Sequence, residues 1–222
     1  SICKKFDLEP GTLVIDIGSN VGLLLSGFKE EGMKVLGIDP AENIAKKTIK
    51  EGIETVPGFF SPELVSGIVK EKGKVSVITA TNVFAHVPDL DSFMEGIDLL
   101  LEENGVFIFE VPYAATLLKD MLYDTIYHEH LSYITVKPLV PFFKKFDMDL
   151  FDIGKVNTHG GSLRCFVCRK GKRYISENIQ KLIDDENNMR IYSPEYLKKF
   201  AEDVKKHRQS LISLLMDLKR QG

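Results

Sequence analysis

Residues 12–22, Thr-Leu-Val-Ile-Asp-Ile-Gly-Ser-Asn-Val-Gly, form an apolar run that leads into a turn with two glycines. A continuous apolar run of this length is typical of a strand buried on both faces of a sheet. Residues 21–31 then place Leu24, Leu25 and Phe28 on one side of a helix. The stretch therefore predicts a strand, a glycine turn and a helix, which together begin a βαβ unit.

The same alternation of strand and helix continues to residue 111. Apolar runs predict further strands at 34–38, 54–57, 75–80 and 105–111, with helices at 41–51, 62–72 and 91–103 between them. Strands that alternate with helices imply parallel pairing and a sheet that is covered on both faces. The predicted fold class is therefore α/β, with a doubly wound, mostly parallel sheet.

The second half of the chain departs from this alternation. Helical patterns occupy 112–127 and the region around 136–146, and two extended runs follow at 148–156 and 162–169. A short glycine-containing turn joins the two runs, which predicts an antiparallel hairpin at the edge of the sheet. From residue 177 onward the chain is polar and helical.

The last predicted helix, 194–220, is amphipathic. Its apolar stripe runs through Tyr196, Phe200, Val204, Leu211, Leu214, Leu215 and Leu218. We therefore expect one domain at 1–172 and a helical segment at 173–222 that packs on something outside this stretch of chain. Because the stripe needs a covering surface, we also expect self-association through this helix.

Composition narrows the class of protein. The 222 residues are 44% hydrophobic and 27% charged, and 29 basic against 32 acidic side chains give no basic footprint for nucleic acid. No apolar run is long enough to predict a membrane span. Three scattered cysteines favour a reducing, cytoplasmic compartment. We interpret Cys165 and Cys168 as edge-strand residues that point to opposite faces, so no metal site is expected.

The turn after the first strand is the predicted ligand site. Ligands of open α/β sheets bind beyond the carboxyl ends of the strands, and glycines such as Gly18 and Gly22 let the backbone approach them. Asn20 stands where the dinucleotide pattern has a glycine, which disfavours an NAD-dependent oxidoreductase. Asp16 and Asn20 suit a cationic ligand without phosphates, and Asp39 ends the second strand, where a carboxylate accepts ribose hydroxyls.

These residues resemble the first motif of the class I S-adenosylmethionine-dependent methyltransferases. Asp39 matches the ribose-binding acid of that family, residues 80–87 match the segment beside the methionine part of the cofactor, and residues 59–60 match the adenine site. The resemblance implies a Rossmann-like methyltransferase fold and S-adenosyl-L-methionine as cofactor. The cofactor-binding residues it implies are Asp16, Gly18, Asn20, Gly22, Asp39, Phe59, Phe60, Ala80, Asn82 and His86.

Two later motifs resemble the sugar C-methyltransferases that act on nucleotide-linked keto-deoxysugars. One is residues 127–130, Tyr-His-Glu-His, and the other is residues 159–164, His-Gly-Gly-Ser-Leu-Arg. The resemblance implies that Tyr127, Glu129 and His130 line the reaction centre. That family carries an N-terminal zinc module and a second α/β domain, so we expect this chain to be a central fragment or a shortened homologue.

Methylation of carbon requires that the carbon first lose a proton. A C–H next to a ketone is acidic enough for a histidine base, and His130 is the candidate. We expect Glu129 to hold the tautomer of His130 or to share its proton, and Tyr127 and His159 to donate hydrogen bonds to the enolate oxygen. The open alternatives are O- or N-methylation of another small metabolite and a non-catalytic cofactor-binding module.

Overall fold

The computed structural model describes residues 1–222, in which seven strands form one sheet in the order β3-β2-β1-β4-β5-β7-β6. The strands are β1 Leu13–Ile17, β2 Lys34–Asp39, β3 Thr55–Pro57, β4 Val75–Thr81, β5 Leu101–Pro112, β6 Met148–Val156 and β7 Ser162–Arg169. Strands β1 to β5 pair in parallel, and β7 pairs antiparallel with both β5 and β6. This arrangement confirms the predicted fold class.

Helices cover both faces of the sheet. The α-helices of the chain are α1 Ile2–Lys5, α2 Leu23–Glu30, α3 Glu42–Lys50, α4 Pro62–Lys72, α5 Leu90–Leu100, α6 Ala114–Asp120, α7 Val136–Lys144, α8 Glu177–Met189 and α9 Pro194–Gln221. The helix predicted at 91–103 ends at Leu100, because Leu101 is buried and pairs with Val75 in the sheet. The helix predicted at 112–127 ends at Asp120, since Met121 is left-handed with φ +55°.

The sheet separates two buried apolar layers, and β7 contributes to both. Cys165 lies in the layer with α4 and α5, whereas Cys168 lies in the layer with α1 and α2. Their side chains therefore point to opposite faces, as the strand alternation predicts. The interpretation as edge-strand residues was wrong, because β6 forms the edge and β7 lies inside the sheet. Burial raises the pKa of the Cys168 thiol to about 11 and that of Cys165 well above its usual value.

Helix α8 is joined to the sheet domain through a buried carboxylate. Glu186 accepts hydrogen bonds from the Tyr113 hydroxyl at 3.0 Å and from the backbone amides of Val136 and Lys137 at 2.6 and 3.0 Å. Burial and the Glu186 charge hold the pKa of Tyr113 well above its usual range. Helix α8 thus shares the core of the sheet domain, whereas α9 buries no residue.

The distal half of α9 carries the exposed apolar stripe that the sequence predicts. Its large exposed side chains are Leu211, Ile212, Leu214, Leu215, Met216 and Leu218. Neither α9 nor any other helix has the length and apolar character needed to cross a membrane.

Candidate active site

A cavity of about 510 Å³ opens at the carboxyl ends of β1, β2 and β4, within the usual size range of small-ligand sites. The residues that line it are Ile17, Gly18, Ile38, Asp39, Pro40, Gly58, Phe59, Phe60, Asn82, Val83, His86, Val87, Pro88, Asp89, Ser92 and Phe93. Six of the predicted cofactor residues are in this lining. The other four, Asp16, Asn20, Gly22 and Ala80, lie outside it.

The backbone after β1 forms the floor of the cavity, and it needs glycine. Gly18 has φ +68°, and a Cβ built on it would stand 2.5 Å from Cγ2 of Val83. Gly22 has φ +74° at the start of α2, where a Cβ would stand 2.8 Å from Cδ1 of Ile53. Gly18 therefore brings bare backbone to the cavity, while Gly22 acts on the packing behind the turn.

Asp39 holds the turn and faces the cavity at once. Its Oδ2 accepts the backbone N–H of Asn20 at 2.8 Å, and its Oδ1 accepts that of Ala41 at 2.9 Å. Asn20, with φ +47°, thus contributes its backbone rather than its side chain. A carboxylate oxygen has two acceptor positions, so each oxygen of Asp39 keeps one for a ligand hydroxyl.

Asp16 lies within the sheet beneath the turn. The Thr79 hydroxyl donates a hydrogen bond of 2.6 Å to its Oδ1. Burial raises the pKa of Asp16 to about 7, and the nearby Asp39 charge adds to this, while the Thr79 hydrogen bond opposes it. The neighbouring Ala80 is fully buried in β4. The Asp16 carboxylate is therefore largely buried beneath the turn, with the Thr79 hydroxyl as its hydrogen-bond donor.

Aromatic residues close the cavity on the β3 side. Phe59 is 81% exposed, so its ring is free to cover a ligand. Phe60 packs on Phe93 with the ring centroids 4.9 Å apart, and its edge fills the space above Gly96. The pair provides one exposed and one packed apolar wall.

The predicted base is held by a group that sequence reasoning missed. His130 Nδ1 lies 2.9 Å from the Thr125 carbonyl oxygen, which can only accept, so Nδ1 carries the proton. Nε2 then has the free lone pair, and the Tyr127 hydroxyl donates to it at 3.2 Å. Residue type gives no signal for such a backbone acceptor, so the sequence could not have identified Thr125.

Glu129 does not take the orienting role expected of it. Its carboxylate is 4.0 Å from His128 Nε2, and both side chains are largely exposed. The Thr125 carbonyl selects the His130 tautomer in its place.

His86 connects the base to the cavity. Its ring lines the cavity, and its centroid lies 4.9 Å from that of His130. Helix α5 is capped by Asp89, whose side chain accepts the Ser92 N–H at 3.0 Å. The Ala85 carbonyl accepts the backbone amide of Leu131 at 2.9 Å, which fixes the 127–130 motif beside the segment after β4.

A second cavity of about 500 Å³ lies beside α1 and α2. It contains none of the predicted site residues. Its charged side chains already have partners within the chain: Arg164 pairs with Glu110 at 2.5 Å, Lys5 with Asp152 at 2.7 Å, and Glu31 accepts the Ser1 hydroxyl at 2.6 Å. The cavity above β1, β2 and β4 is therefore the better ligand site.

That cavity fits an adenosine ligand with a cationic amino group. Asp39 has acceptor positions for two ribose hydroxyls, and Gly18 leaves room for a ligand against the backbone. Asn82 lines the cavity and has a buried Oδ1 without any hydrogen-bond donor. Because such an acceptor is costly to leave unpaired, it marks a place for a ligand N–H.

Comparison with protein families divides the chain into two parts. Residues 4–151 match the family described as methyltransferase domain. Residues 157–222 match the family described as C-methyltransferase C-terminal domain.

The curated relatives that match the chain are methyltransferases. The C-methyltransferase NovU of Streptomyces niveus is 30% identical over 220 residues, which are 99% of this chain and 52% of that protein. A ubiquinone biosynthesis O-methyltransferase of Rhodopseudomonas palustris is 30% identical over 114 residues, 48% of this chain and 45% of that protein. The chain spans about half the length of the curated relatives it matches.

Solved structures show the same fold. The magnesium protoporphyrin IX methyltransferase of Synechocystis, with bound S-adenosylhomocysteine, superposes with a TM-score of 0.57 at 16% identity over 76% of this chain and 79% of that one. An S-adenosylmethionine-dependent methyltransferase of Anabaena variabilis gives 0.59 at 15% identity over 76% and 82%. With the family match over two thirds of its length, the chain belongs to the class I S-adenosylmethionine-dependent methyltransferases.

Proposed function

We propose that the chain transfers a methyl group from S-adenosylmethionine to a carbon next to a ketone. The observation that carries the proposal is the His130 imidazole, which the Thr125 carbonyl holds with Nε2 unprotonated. A base in a fixed tautomer is what proton removal from carbon requires. The similarity to a C-methyltransferase over nearly the whole chain supports the same reaction.

The chain's own groups divide the work between binding and proton transfer. Asp39 accepts the ribose hydroxyls of the cofactor, Gly18 gives its backbone space, and Phe59 covers its base. The bound cofactor supplies an electrophilic methyl group on a sulfonium. His130 Nε2 takes the proton from the substrate carbon, and the electron pair of that C–H bond passes into the enolate.

Tyr127 is placed to serve the same step. Its hydroxyl donates to His130 Nε2, so it must turn away before that nitrogen can accept a substrate proton. The enolate oxygen is then the acceptor for the Tyr127 proton, and such a hydrogen bond stabilises charge as it develops. His86 lies beside His130, with the ring centroids 4.9 Å apart, and connects the base to the cavity that His86 lines.

The substrate we propose is a nucleotide-linked keto-deoxysugar. The resemblance of residues 127–130 and 159–164 to the sugar C-methyltransferases supports this class. A second proposal is that 1–172 binds the cofactor while 173–222 leads to a further domain, with the exposed stripe of α9 available for self-association. The cytoplasmic setting stays a prediction.

Solvent exchange tests the carbon-acid step. In D₂O, and with S-adenosylhomocysteine bound, the chain should replace the substrate hydrogen next to the ketone by deuterium. Proton NMR measures this exchange as loss of the C–H signal. His130→Ala should slow exchange by about 10²–10⁴, the usual contribution of a positioned base. His128→Ala is the matched control, because His128 is 90% exposed and should exchange as the unaltered chain does. Full exchange by His130→Ala would place the base elsewhere and favour O- or N-methylation.

A further inference from the structure

The side-chain amide of Asn82 joins the cavity to the turn between β6 and β7. Its Nδ2 lies 3.0 Å from Nε2 of His159, although the two residues are 77 positions apart. Its Oδ1 is buried and has no donor. Asn82 itself lines the cavity at the end of β4. The Asn82 amide therefore has its Nδ2 in contact with a residue outside the cavity lining, while its Oδ1 has no partner.

The Asn82 amide has its Nδ2 toward the His159 ring and its Oδ1 away from that ring. The two ends of an asparagine amide have nearly the same size but opposite hydrogen-bonding roles. Because the NH₂ group can only donate, His159 Nε2 must be the acceptor in this pair. An acceptor at His159 Nε2 holds the NH₂ group of Asn82 toward the turn and leaves Oδ1 on the side away from the turn.

The turn that carries His159 is firmly held. His159 has φ +50°, and the next residue, Gly160, has φ +77°. A Cβ on Gly160 would stand 2.6 Å from Cδ1 of Leu122, so the turn packs closely on the segment after α6. The backbone of Asn82 is fixed as well, since its N–H donates to the Glu110 carbonyl at 2.9 Å. The Asn82–His159 contact thus joins the turn, which packs on Leu122, to a backbone position that is hydrogen-bonded to β5.

The position of Asn82 in the sheet suggests what its Oδ1 meets. Asp39 ends β2, Gly18 follows β1, and Asn82 follows β4, and these strands are adjacent in that order. A ligand whose ribose lies on Asp39 therefore extends past Gly18 toward Asn82. The amino group of the cofactor is a cationic donor at that end, and it would satisfy the unpaired oxygen.

We propose that His159 is a positioning residue for the methyl donor, keeping Asn82 Oδ1 turned toward the cationic amino group. The inference rests on the proposed function, and it changes the role of His159. The sequence suggested a donor to the enolate oxygen, but Asn82 already engages His159 Nε2. The His159 motif then contributes to the cofactor site rather than to the carbon acid.

Two ligands separate this role from a merely structural one. S-adenosylhomocysteine carries the amino-acid part, whereas 5′-methylthioadenosine has the same nucleoside and thioether without it. Calorimetry on the full chain should show that His159→Phe weakens S-adenosylhomocysteine about tenfold, the loss of one hydrogen bond to a charged group, and leaves 5′-methylthioadenosine unchanged. His159→Gln, which keeps an acceptor oxygen, should restore the affinity.

Two further variants complete the test. Asn82→Leu should show the same selective loss, and adding His159→Phe to it should cost nothing more, because both changes remove one interaction. His128→Phe makes the same chemical change at an exposed histidine and should bind both ligands normally.

Equal weakening of both ligands by His159→Phe, or no weakening, overturns the inference, and so does a His159→Gln variant that behaves like His159→Phe. Failure of the unaltered chain to bind either ligand overturns the cofactor part of the proposed function and the inference with it. If His159→Phe loses affinity for S-adenosylhomocysteine alone, while the unaltered chain shows no deuterium exchange at the substrate carbon, the inference stands and only the carbon-acid step is rejected.

Discussion

Replacing Asp39 by alanine should separate its two tasks in the cofactor site. The carboxylate already accepts the backbone amides of Asn20 and Ala41 at 2.8 and 2.9 Å, and we assign its remaining acceptor positions to the ribose hydroxyls. A hydrogen bond to a charged group contributes about 1.5–3 kcal/mol. Loss of two such bonds should therefore weaken S-adenosylhomocysteine by at least two orders of magnitude, since about 1.4 kcal/mol is tenfold.

The same substitution should also lower stability. Two backbone amides in a partly buried turn lose their acceptor, at a cost of about 1 kcal/mol each. Thermal unfolding of Asp39→Ala without ligand should show this loss, and the weaker binding must be measured well below the melting temperature. Circular dichroism at that temperature checks that the fold is retained.

An analogue of S-adenosylhomocysteine without the two ribose hydroxyls isolates the binding role. The unaltered chain should bind this analogue about as weakly as Asp39→Ala binds the natural ligand. Asp39→Ala should bind the two ligands with the same affinity, because the carboxylate that accepts the ribose hydroxyls is gone. The assignment of Asp39 to the ribose is refuted if Asp39→Ala weakens both ligands by the same factor.

Three other predictions follow from the geometry. The pKa of Asp16 is raised to about 7 in the folded chain, so Asp16 keeps a proton there that the unfolded chain releases near pH 4. The free energy of unfolding should therefore fall by about 4 kcal/mol as pH rises from 4 to 7, and urea unfolding of Asp16→Asn should show no such fall. Gly18→Ala should destabilise more than Gly171→Ala, because both have positive φ but only the Gly18 Cβ would strike Val83; equal melting temperatures contradict this. Leu214→Glu in α9 should reduce self-association in light scattering, and a monomeric unaltered chain contradicts that proposal.

The fold could be predicted where local periodicity decides it. The bounds of α4, β6 and β7 agree with the predicted 62–72, 148–156 and 162–169, since each stretch has a regular apolar pattern between polar or glycine-containing turns. The end of α5 could not be predicted, because pairing of Leu101 with Val75 is a contact between distant residues. Local pattern carries no information about such pairing.

The candidate site divides in the same way. Gly18 and Asp39 were predictable, because a turn after a buried strand restricts which residues can stand there. The partners of His130 and His159 were not, since one is a backbone carbonyl and the other is an amide 77 positions away. The sequence therefore predicts which residues lie at the cavity better than it predicts what each of them contacts.

The central claim is that the methyl group goes to carbon, and the product shows this directly. The chain is mixed with an equal concentration of a nucleotide-linked keto-deoxysugar and incubated with S-adenosylmethionine that carries ¹³C in its methyl group. The product is then examined by NMR. We expect the labelled methyl to be coupled to a ring carbon next to the ketone. A labelled methyl attached to oxygen or nitrogen would contradict the account and favour the alternative methyl transfer.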